Sequence, residues 1–169
     1  MAGPQGNRPK LHIPRSPLEK ALELVSVLGM IVIALTLLLS WSGIPATIPT
    51  HFGVSGQPNS YGSKATLLLL PGIAVFLYAL LTTLSFFPQV YNFPWRITEQ
   101  NAWAQYRLAR QMLGWLKAEL IATFAWLNWE IIQTALGKAN GQVFWFLPVA
   151  LVVVFGTLGL YLRLLYRAR

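Results

Sequence analysis

The chain contains no cysteine. Disulfides, thiolate metal sites and cysteine nucleophiles are therefore excluded. Aspartate is absent too, so the only acids are Glu19, Glu23, Glu99, Glu119 and Glu130. Charged residues make up 11% of the 169 positions, against about 25% in a soluble domain. Histidine is scarce, with only His12 and His51. Neither lies in a long apolar run, which excludes a pair of haem ligands inside a bundle. A three-ligand zinc site would need His51 with Glu119 and Glu130, but one helix holds those glutamates about 16 Å apart. No phosphate-binding GxxxxGK[ST] run and no nucleophile elbow occurs. The sequence thus offers no metal site, no cofactor site and no catalytic set, and a protein that is not an enzyme is expected.

Apolar residues are abundant, at 55%, with a mean hydropathy of +0.52. They concentrate in blocks. Residues 24–41, 65–87 and 143–162 carry no charge. As helices they would reach roughly 27–35 Å, enough for a hydrocarbon core of about 30 Å. A further block, 118–136, is long enough but carries Glu119 and Glu130. The first block exceeds the roughly 7–15 residues of a signal-peptide core, so it reads as a retained span. The expectation is an all-α integral membrane protein, a four-helix transmembrane bundle. Its spans lie at about 22–42, 65–87, 118–137 and 143–162, within a single domain over 16–169.

Charge gives the direction. Eleven of the thirteen Lys and Arg residues fall before span one, between spans two and three, or after span four. Only Lys64 and Lys138 fall elsewhere. Basic flanks stay cytoplasmic, so both termini and the middle loop face inward and loop 43–64 faces outward. This split also argues against nucleic acid, since no stacking motif accompanies the basic residues. Anionic inner-leaflet lipids are the simpler counterpart.

On the inner side, residues 1–15 contain Pro4, Pro9 and Pro14 and read as a flexible cytoplasmic tail. Ser16, Pro17 and Glu19 then form a helix start with a capping box. Residues 98–117 alternate apolar and basic positions at helical spacing and predict an inner interfacial amphipathic helix. Arg107, Arg110 and Lys117 would contact inner-leaflet lipid. This helix can run on into span three, with Gly114 as a bend.

On the outer side, Ile48-Pro49-Thr50-His51-Phe52 is an extended piece, followed by turn signals and a second extended piece ending at Ser63. The simplest reading is a hairpin-like lid on the bundle, with His51 hydrogen-bonded inside. The sharper one is a ligand or partner site joining His51, Lys64 and Glu130. An intramembrane carboxylate is costly unless paired, and Lys64 and His51 are the cationic groups on that side.

The residues Ile48-Pro49-Thr50-His51-Phe52, Gly56 and Tyr61-Gly62-Ser63-Lys64 resemble the signature of the bacterial membrane family called domain of unknown function 1648. Thr98-Glu99-Gln100-Asn101 and Tyr106-Arg107-Leu108-Ala109-Arg110 resemble a second stretch of its short members. The resemblance spans roughly residues 22–136 and makes Pro49, Phe52, Gly56 and Gly62 structural motif positions. It implies a multi-pass protein of the bacterial cytoplasmic, or an internal, membrane. The family includes SdpI-like immunity proteins, so a protein that binds a partner, peptide or lipid is expected. A membrane-protein partner or a homo-oligomer would serve. Alternatives are an accessory subunit of a larger membrane complex and a small oligomeric transporter using Glu130.

Overall fold

A backbone in hydrocarbon must satisfy its own N–H and C=O groups, so apolar blocks of this length become helices. The computed structural model describes residues 8–53, 57–139 and 143–169. Among them are four α-helices: α1 Pro17–Ser40, α2 Leu69–Ser85, α3 Ala102–Ala135 and α4 Val143–Arg167. Two strands, β1 Thr47–Phe52 and β2 Pro58–Ser63, form an antiparallel hairpin between α1 and α2. A 3-10 turn, Lys64–Leu68, carries the hairpin into α2.

Three segments are long and apolar enough to cross a membrane: Pro17–Ser40, Lys64–Ser85 and Trp145–Arg167. The chain is by this measure a multi-pass membrane protein, and α3 is a long fourth helix. The helices run alternately up and down, and α3 touches the other three. Leu24, Leu28, Leu35, Phe76, Val152 and Phe155 stand exposed on the outside, while Ser26, Lys117, Asn128 and Glu130 are buried. Such an inside-out distribution suits a lipid surround.

The capping box at the start of α1 is present. Glu19 N donates to Ser16 Oγ at 3.3 Å, and Ser16 N donates to Glu19 Oε2 at 2.7 Å. Close approach of α1 to α3 depends on Gly29. A Cβ there would lie 2.7 Å from Ile121 Cγ2. Gly156 and Gly159, whose spacing in span four hints at helix contact, instead face open space in this chain.

The structure corrects the inner side in two ways. First, α3 has 34 residues without interruption, about 51 Å at 1.5 Å per residue. The expected interfacial helix and the expected third span are one element, with no break at Gly114. Its start is also Ala102, because Thr98 and Asn101 form a reciprocal turn first: Thr98 N donates to Asn101 Oδ1 at 2.9 Å. Second, residues 8–15 are not a free tail. Ile13 is buried in a cluster with Phe93, Ile97, Ala102, Tyr106, Ala109 and Leu165. Extended, proline-rich backbone cannot bond its own carbonyls; Arg110 does so instead, and Arg8 ties the segment to the loop before α3. Arg110 donates to Ile13 O at 2.8 Å and Pro14 O at 2.9 Å, and Arg8 donates to Gln89 O at 2.8 Å and to Tyr91 O. These contacts make a small apolar cap at the basic end of the bundle.

Candidate functional site

At the opposite end sits the hairpin. Ile48, 1% exposed, packs with Leu37, Ile44, Leu67 and Ile132, so β1 is pinned to the ends of α1 and α3. Pro49 beside it is buried as well. The register runs Thr47 to Ser63, Ile48 to Gly62 and Pro49 to Tyr61, then slips so that His51 faces Ser60. Gly62 has a steric reason, since a Cβ there would lie 3.0 Å from Thr50 Cγ2. Gly53 N donates to Gln57 O at 2.9 Å and helps close the turn. The motif position Gly56 lies outside the described residues. Phe52 ends β1.

The three residues expected to meet are placed on three different pieces. His51 is exposed on β1, with Nδ1 2.6 Å from Asn59 Oδ1 on β2. It is therefore not inside a lid. Lys64 opens the 3-10 turn; its Nζ lies 4.9 Å from the Trp41 ring centroid and donates to Trp41 O at 3.5 Å. Glu130, 5% exposed, sits within α3. None of the contacts made by His51 or Lys64 just described involves Glu130. The hairpin's outward surface is polar: Thr50, His51, Asn59, Ser60 and Tyr61 are all exposed. The Thr50 and Ser60 hydroxyls stand 3.4 Å apart.

The basic end holds a second polar constellation, and here the lipid assignments change. Arg110 pairs with Glu19 through Nε and through Nη2 to Oε2 at 3.1 Å, a bidentate geometry. Lys117, 3% exposed, donates to Glu23 Oε2 at 2.6 Å and Thr82 Oγ1 at 2.8 Å. Tyr78 donates to Glu23 Oε1 at 2.6 Å. Arg110 and Lys117 therefore bind α1 and α2 to α3 and do not face lipid. A buried cation is tolerated when an acid meets it, and Glu19 and Glu23 supply that acid. Arg107 alone of the three stays exposed, its guanidinium 5.2 Å from the Trp103 ring centroid. In the cap, burial pushes the Tyr91 phenol up to about 12, so it remains a donor, to Leu84 O at 2.9 Å.

Ile33, Ala74 and Ile121 form a buried apolar layer separating Lys117 and Glu23 from Asn128. Asn128 donates to Thr36 Oγ1 at 2.9 Å, and its Oδ1 has no partner among the described residues. The stripe of α3 that bears Glu119 meets α4: Thr157 donates to Glu119, and Trp126 stacks on Phe146 with centroids 3.8 Å apart.

Residues 28–75 match the family model described as domain of unknown function (DUF1648). The chain carries a DUF1648 domain. In this fold the DUF1648 match covers most of α1, the whole hairpin and the start of α2, so it includes Gly29, His51, Gly62 and Lys64. The ion-paired basic end lies outside it. An uncharacterised protein of Archaeoglobus fulgidus is 37% identical over 95 residues, 50% of this chain and 52% of that protein. The alignment thus spans about half the length of this curated relative. That relative is archaeal, so similarity to this chain extends beyond bacteria. No solved structure matches.

Proposed function

We propose that this chain is a non-enzymatic membrane protein that captures a partner, protein or peptide, on the hairpin face of its DUF1648 domain. The observation that carries this reading is the rigid presentation of a polar surface. Ile48 and Pro49 anchor β1 in the bundle, while Thr50, His51, Asn59 and Tyr61 stand clear of it. A pre-organised surface binds at lower ordering cost than a loose loop. The basic end faces the cytoplasm of a prokaryotic cell and the hairpin faces out, with four crossings in all, the second half of α3 being the fourth. The excess of Lys and Arg at the cap end supports this direction. An immunity-like or signalling role fits such a receptor-like face. The buried apolar layer of Ile33, Ala74 and Ile121 weighs against a transport path through a single bundle.

The test is a photo-crosslinking residue at Tyr61 in host membranes. One discrete adduct is expected, and His51→Ala with Asn59→Ala should weaken it at least roughly fivefold, the scale of one interface anchor. Undiminished capture by that double variant would remove the hairpin from consideration.

A further inference from the structure

Contacts between helices fix which residues share a level along the bundle. Ser16 Oγ accepts from Gln111 Nε2 at 3.4 Å, and Leu22 packs on Gly114. Lys117 reaches Thr82, and Tyr161 shares a side-chain hydrogen bond with Trp115. Lys20 on α1 therefore stands level with about residue 113 of α3. Arg163 lies half a turn beyond Tyr161, and Phe86 one turn beyond Thr82. This is also the level at which the uncharged runs of α1, α2 and α4 end. It is where a headgroup layer would sit.

The layer has an unusual charge pattern. Its acids, Glu19 and Glu23, are consumed by Arg110, Lys117 and Arg15, the last of which also lies over the Phe86 ring. Lys20 and Arg163 are exposed, and among the described residues neither side chain has an ion pair or hydrogen bond. Large apolar rings crowd the same level: Phe86, Phe87 and Trp115 are exposed. Two uncompensated cations with exposed rings match a phosphate layer above acyl chains. The other exposed arginine of the expected lipid set, Arg107, lies about 9 Å further out along α3 and stacks on Trp103.

We propose that Lys20 and Arg163 form the contact of this protein with anionic phospholipid headgroups, in place of Arg110 and Lys117. The partner is the phosphate of an anionic lipid in the leaflet at the basic end. The proposal rests on the multi-pass membrane reading.

The test uses the full chain reconstituted into vesicles of phosphatidylcholine with increasing phosphatidylglycerol, reading retained phosphatidylglycerol by mass spectrometry after gentle extraction. Lys20→Gln with Arg163→Gln should lower retention at least tenfold, each cation near the surface being worth roughly fivefold. Lys20→Arg with Arg163→Lys, which keeps both charges, should retain the lipid. Arg107→Gln with Arg169→Gln, in the cap, should change it less than twofold. Wild-type retention in the Lys20/Arg163 glutamine variant overturns the proposal, and so does an equal loss in the cap variant. If the wild-type chain does not insert into vesicles of any of these compositions, the membrane reading itself is wrong and the proposal falls with it.

Discussion

Lys117 shows what a single charged side chain does in this bundle. It meets a carboxylate from α1 and a hydroxyl from α2, and its Nζ lies 4.9 Å from the Tyr78 ring centroid. Removing the cation leaves half-buried Glu23 with only the Tyr78 hydroxyl and Arg15 at 3.9 Å, which costs about 1–3 kcal/mol. Lys117→Met should therefore lower the midpoint of thermal unfolding in detergent sharply. Lys117→Met combined with Glu23→Met should recover most of the loss, because no buried charge is then left alone. A double variant as unstable as the single one would show that the pair is not the coupling. The amino-acid pattern located these charges but not their direction. A basic stripe on α3 fits lipid and fits partner acids equally well at the level of periodicity. The deciding signal was present in Glu19 and Glu23, one turn apart near the start of α1 and matched by basic positions seven apart on α3. His51 and Lys64 illustrate the reverse case. They lie toward one end of the chain's topology, yet nothing in sequence spacing says that His51 turns to Asn59 or that Lys64 folds back over Trp41.

Helix contacts depend on the smallest residues, and glycine spacing alone does not say which of them carry a contact. Gly156 and Gly159 meet nothing, whereas Gly29 admits Ile121 of α3 to the backbone of α1. Gly29→Ala should destabilise the protein by about 1–3 kcal/mol, the usual cost of overpacking. Adding Ile121→Leu removes the clashing Cγ2 branch at similar volume and should restore most of the stability. Gly156→Ala, in contrast, should be neutral or stabilising, by no more than the roughly 1 kcal/mol by which helix propensity favours Ala over Gly. Thermal unfolding of the three variants in one detergent checks all of this, and a neutral Gly29→Ala would sink the packing argument. The hairpin was legible because its turn residues and extended pieces follow local rules. The continuity of α3 was only half legible: the inner helix could run on into span three, but Gly114 and the change from charged to apolar composition allowed a bend there. Only the contacts of α1, α2 and α4 along its length reveal one helix.

Across the whole molecule, hydropathy and Lys/Arg distribution indicated the membrane class and its several helices. They could not show the apolar cap, since its core draws on residues 8–15, the loop before α3 and the last turns of α4, which are far apart in the chain. The central claim is topological: the DUF1648 hairpin and the ion-paired cap lie on opposite sides of one membrane. The lack of native cysteine makes each introduced thiol unique. Ser60→Cys on β2 and Asn92→Cys in the loop before α3 are both exposed positions. Treated with a membrane-impermeant maleimide, intact cells should label Ser60→Cys and leave Asn92→Cys unlabelled until the membrane is opened. Equal labelling of both positions in intact cells, or labelling of Asn92→Cys alone, would contradict the account.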